Sequence, residues 1–196
     1  MYKYIVILFM DIIKLIPKIN QNPDAFSEVI SEYESKLLRY ILRISSMEYE
    51  EAENLLQEIF IKIYRNINEY DDRWTFSSWI YRIAHNAVID YFRKHEKESI
   101  KISLDDEAYS HLTLSLSDGI QPDKELAQKD TRECVQKAIT SLPLDYRDAI
   151  VLRYIEERSY EEISDILQIP IGTTSTLVNR AKTRLRETFE KLRCIQ

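Results

Sequence analysis

Two glycines, Gly119 and Gly172, serve all 196 residues. That scarcity constrains the fold more than any other feature, because a β sandwich or barrel needs many tight turns at which glycine supplies positive φ. Prolines are also few, while Leu, Ile, Lys, Arg and Glu dominate, a composition suited to helices with short connections. The predicted class is all-α. Periodicity agrees: after Asp24, a candidate N-cap, apolar residues fall at Phe26, Val29, Ile30, Tyr33, Leu37, Ile41 and Ile44, the three-and-four spacing of one helical face.

A second stripe runs through Ala52, Leu55, Leu56, Ile59, Ile63 and Ile67, but Phe60, Ile61 and Tyr64 do not all fit on it. A helix apolar over more than one face meets a second partner, inside its own domain or outside it. Residues 69–74 carry no stripe and read as a loop, after which Thr75 or Ser77 caps a helix to about Lys94. Along that helix Phe76, Ile80, Ile83, Ala87 and Tyr91 point inward, and Arg82, Asn86 and Arg93 share the outward face. Trp79 reads as core; Trp74, in a polar loop, has less reason to be there unless something covers it.

Between His95 and about Gln121 the period dissolves into an acidic stretch, read as an extended linker too long for a loop inside one compact domain. The expected organisation is therefore an N-terminal extension at 1–9, one helical domain at 10–95, a linker at 96–121 and a second helical domain at 122–196. Met10 is a candidate start, because the opening MYKYIVILFMDIIKLI is too short an apolar run to span a bilayer and is broken by Asp11 and Lys14. An extra apolar turn packed on the first domain is the alternative. Helicity resumes near Pro122, with Leu126, Val135, Ala138, Ile139 and Leu142 as apolar positions.

Several chemistries find no constellation. Cys134 and Cys194 lack CxxC spacing, so neither a disulfide nor a zinc site is expected, and a reducing, cytoplasmic setting fits. His85, His95 and His111 do not stand at ligand spacing from one another. No metal, cofactor or catalytic residue is predicted, and the reading is not an enzyme. The net charge of −6 disfavours nucleic acid only if local clustering is ignored.

The sharpest local signal is SYEEISDILQIPIGTTSTLVNRAKTRLRETFEKL. Ser159 and Glu162 form a capping box ahead of Ile163, Ile166 and Leu167. The segment 169–172 is a tight apolar turn, and Thr173 is a candidate cap for the next helix. Two helices so joined make a helix-turn-helix, whose second helix enters a major groove. Here that helix ends in Arg180, Lys182, Arg184 and Arg186, placed for phosphates, although a solvated basic face would look similar.

The stretches AENLLQEIFIKIYRNI, FSSWIYRIAHNAVIDYFRK and SLPLDYRDAIVLRYIEERSYEEISDILQIPIGTTSTLVNRAKTRLRE, in this order, resemble the extracytoplasmic-function group of the sigma-70 family, the promoter-recognition subunits of bacterial RNA polymerase. The resemblance implies the second and fourth sigma domains on a linker threading toward the active-site cleft. It implies that Glu53, Gln57, Glu58, Phe60, Ile61 and Tyr64 dock on the clamp helices of the largest polymerase subunit. Asp71, Asp72, Arg73, Trp74 and Thr75, with Arg82 and Asn86, would hold the non-template strand of the −10 element. Ser175, Thr176, Asn179, Arg180, Lys182 and Arg184 would serve the −35 element, and the helix-turn-helix would also lie on the flap of the second-largest subunit. A cognate anti-sigma factor and a monomeric state away from polymerase are implied too. Ser175 and Leu177 stand where the group commonly has basic residues, and Gln168 where it often has glycine. The rival reading is an ordinary helix-turn-helix repressor or activator, which binds duplex DNA without polymerase; a third makes the first domain a protein-interaction module.

Overall fold

The computed structural model describes residues 15–99 and 134–192. The expected extension at 1–9, the Met10 start, the linker at 96–121 beyond the backbone of Ser99, and the helix onset near Pro122 lie outside these residues. Those described form helices joined by turns, with no strand among them. α1 passes through residues 15–21, α2 is Ser27–Ser45, α3 Tyr49–Asn66 and α4 Phe76–Ser99. In the second module α5 covers 134–140, α6 is Leu144–Ile150, continued by a π turn at Val151–Ile155, and α7 (Tyr160–Leu167) and α8 (Ile171–Leu192) complete it.

The predicted stripes are the buried ones. Val29, Tyr33, Leu37, Ile41 and Ile44 of α2 meet Ala52, Leu55, Leu56, Ile59 and Ile63 of α3 and Phe76, Ile80, Ala84 and Val88 of α4, with Leu15 and Ile19 closing one side. Each fully buried aliphatic contributes about 1.5–3 kcal/mol relative to exposure. Entry to α2 differs in detail from expectation: a 3-10 turn at Pro23–Phe26 precedes it, and Asn22, not Asp24, is the cap, its side chain accepting from the Asp24 N–H at 3.1 Å. Proline at the first position of that turn has no N–H to satisfy, which favours the cap one residue earlier. α2 ends at Ser46, whose left-handed φ of 59° lets its N–H reach the Leu42 carbonyl.

α4 starts where Thr75 Oγ1 accepts the Ser78 N–H at 3.1 Å, one of the two caps foreseen. In the second module the capping box is present, with Glu162 N to Ser159 Oγ at 3.1 Å and Ser159 N to Glu162 Oε2 at 2.9 Å. Thr173 is not the cap of α8; the helix already begins at Ile171, and the Pro170 carbonyl accepts from the Thr174 N–H and hydroxyl. A further correction concerns Cys134, which is disulfide-bonded. The chain's other cysteine, Cys194, lies outside the described residues. Distance along the chain is no measure of distance in space, so the absence of CxxC spacing could not exclude a bond.

The two modules touch. α4 packs against α7, and α2 against α6 and the π turn, so the buried apolar residues of both join in one cluster.

Candidate nucleic-acid and polymerase surfaces

The turn ahead of α4 is built from its own side chains. Asp71 accepts from the backbone N–H and the Nε of Arg73 at 3.0 and 2.7 Å, and these bonds hold its carboxyl below the usual carboxylate range. The Trp74 N–H donates to the Asp71 carbonyl at 3.2 Å. Tyr70 braces the same turn from beneath: its ring lies edge-on to Phe76 and Trp79, with centroids 5.2 and 5.8 Å away, and its hydroxyl donates to the Trp74 carbonyl at 2.7 Å. Burial, followed by the nearby Asp72 carboxylate, pushes the Tyr70 hydroxyl up to about 12. The result is a shaped loop presenting the Trp74 side chain, 43 % exposed, beside exposed Asp72 and Arg73. Trp79 and Phe76 are core, stacked at 5.5 Å.

On α4 the expected outward face is divided. Asn86 and Arg93 are exposed, whereas Arg82 is half-buried and donates to Asp165 of α7 at 2.8 Å. Thr75 likewise reaches Glu162 of α7 at 3.4 Å.

α8 presents Thr176, Asn179, Arg180, Lys182 and Arg184 to solvent, while Ser175 is half-buried. Thr176 already donates its hydroxyl to the Gly172 carbonyl, and Arg184 pairs with Glu187 at 3.2 Å. Asn179 and Arg180 line an open groove of about 740 Å³ against Asp145 and Tyr146 of α6. Leu177 packs on the core, which accounts for an apolar residue where the group carries a base. Gln168, the turn residue, takes φ 54° and ψ 42°, the left-handed conformation that glycine adopts more readily.

Five of the six residues expected to meet polymerase are exposed on α3: Glu53, Gln57, Glu58, Ile61 and Tyr64, with Ile61 at 50 % and Tyr64 at 41 %. Phe60 is different. It is 8 % exposed and packs edge-on to Phe26 at 6.3 Å, so it supports the patch from within. Tyr49, missed in the sequence, continues the i, i+4 row Glu53, Gln57, Ile61 and is itself largely exposed.

A three-helix bundle with an aromatic capture loop, tied to a helix-turn-helix, defines a two-module nucleic-acid-binding factor. The sigma-70 region 2 model matches residues 29–98, and the sigma-70 region 4 model matches 132–185. The chain is 36 % identical to the ECF RNA polymerase sigma factor SigW of Bacillus subtilis, over 86 % of this chain and 91 % of that protein. It is 31 % identical to the ECF RNA polymerase sigma-E factor of Haemophilus influenzae, over 91 % and 95 %. In fold it is similar to the sigma factor RpoE solved with the anti-sigma factor NepR from Bartonella quintana, at a TM-score of 0.63 and 24 % identity, covering 84 % of this chain and 96 % of that one. A TM-score of 0.63 also relates it to CnrH solved with the cytosolic domain of CnrY, at 17 % identity over 90 % and 96 %. The chain belongs to the extracytoplasmic-function group of the sigma-70 family. It is an RNA polymerase sigma factor, directing core polymerase to promoters and initiating transcription. Among the described residues no helix is long and apolar enough to cross a membrane.

Proposed function

We propose that this chain opens a bipartite promoter by binding energy alone, with no catalytic residue of its own. The loop 71–75 and the Arg82, Asn86 face of α4 take the non-template −10 strand, and Ser175, Thr176, Asn179, Arg180, Lys182 and Arg184 serve the −35 duplex. The observation that carries this reading is Trp74, a large aromatic held half in solvent by a loop built to present it. Extruding a base costs a few kcal/mol, and stacking on an aromatic returns roughly 1–3 kcal/mol per base. Asp71 and Asp72 supply acceptors for base amino groups, and Arg180 alone of the α8 set can grip guanine bidentately.

The exposed α3 row supports docking on the clamp helices of the largest polymerase subunit, with the second module on the flap of the second-largest. The remaining assignments are a cytoplasmic location, a monomer when free of polymerase, and control by an anti-sigma factor. The test adds the full chain to sigma-free core polymerase on a genomic template library. Run-off transcripts from a limited promoter set are expected; silence with no inhibitor present refutes the initiation reading. Tight binding of duplex DNA by the chain alone, as a dimer, would favour the repressor reading instead.

A further inference from the structure

The surface between the modules is polar and complementary in charge. The first module brings Arg43, Arg82 and His85; the second answers with Glu156, Asp165 and Asp148. Arg43 Nη1 lies 3.3 Å from Glu156, Arg82 Nη1 2.8 Å from Asp165, and His85 Nδ1 2.5 Å from Asp148. Tyr40 and Tyr81 donate to Asp148 and Glu156 at 2.8 and 2.6 Å. The Arg158 guanidinium sits over the Tyr81 ring at 4.4 Å, and Arg147 donates to the Ile44 carbonyl at the end of α2.

We infer that the carboxylate face of the second module occupies the place of nucleic acid on the first, so that the docked chain is closed to the −10 strand. The inference rests on the promoter reading above. It arises because Arg82 and Thr75, two of the residues assigned to that strand, are the ones α7 engages through Asp165 and Glu162. The closure is built to release. Asp165 Oδ2 is buried without a hydrogen-bond partner, and burial raises the Asp165 carboxyl despite Arg82. Burial lowers Arg43 despite Glu156. Charges short of hydration favour opening once another surface competes.

The test uses the full chain and the paired substitutions Asp148→Asn and Glu156→Gln, neither residue assigned to DNA or polymerase. Small-angle scattering reads the radius of gyration, and anisotropy reads binding to a fluorescein-labelled pool of random DNA single strands. A larger radius with at least tenfold tighter strand binding is expected. An unchanged radius, or a larger one with unchanged affinity, overturns the inference. Should the pair lose helical circular dichroism, Arg43→Gln breaks the same contact from the other side and is judged by the same two readouts. Failure of the promoter reading shows separately, as silence in run-off transcription.

Discussion

Gln168→Gly tests the helix-turn-helix corner quantitatively. Gln168 closes α7 with φ 54°, and its N–H reaches the Ser164 and Asp165 carbonyls. An L residue in this conformation costs roughly 1–2 kcal/mol through contact of Cβ with the backbone. The side chain is exposed and makes no hydrogen bond among the described residues, so little is lost by removing it. Against the gain stands the greater freedom glycine brings to the unfolded chain, which costs about 0.5–1 kcal/mol. The expected net is a stabilisation of about 0.5–1 kcal/mol, read as a higher urea midpoint with unchanged slope. Gln168→Ala, which keeps Cβ, should stay within about 0.5 kcal/mol of the parent. If alanine stabilises as much as glycine, conformational strain is not the cause and the reasoning fails.

Trp74→Ala should lower promoter opening by about 1–3 kcal/mol, roughly 5- to 100-fold, with core-polymerase affinity unchanged; equal losses in both assays would make Trp74 structural. Tyr70→Phe keeps the ring but deletes the bond to the Trp74 carbonyl, about 1 kcal/mol, and should slow opening severalfold while circular dichroism stays constant. The Tyr70 hydroxyl is held more tightly in the folded chain than in the unfolded one, so its contribution is intact below its ordinary value of 10 and is lost as pH rises toward about 12. Tyrosinate absorbance compared between parent and Tyr70→Phe should therefore place this group near 12; titration near 10 would refute the burial. Ser159→Ala should cost about 1 kcal/mol of stability by removing one half of the capping box, measured by denaturation.

The helical stripes could be read from the sequence because each lies within a single period, and burial against neighbouring helices is set by it. Caps were less secure: Asn22 and Asp24, or Pro170 and Thr173, are alternatives separated by small local free energies. Phe60 shows the limit of face assignment, since Phe26, from an earlier turn of chain, decides that it is covered while Ile61 is not. The contact between modules left no signal at all. Tyr40 and Asp148, or Arg43 and Glu156, are more than a hundred residues apart and carry no mutual periodicity. The same is true of the disulfide at Cys134.

The π turn at Val151–Ile155 has a bearing on how relatives diverge. Its bond from the Glu156 N–H to the Val151 carbonyl spans five residues rather than four, the mark of one residue added to a regular helix. Deleting that residue would rotate the downstream chain by about 100° and swing Glu156 away from Arg43 and Tyr81. A single-codon insertion or deletion, leaving both modules folded, is thus enough to confer or abolish their mutual grip.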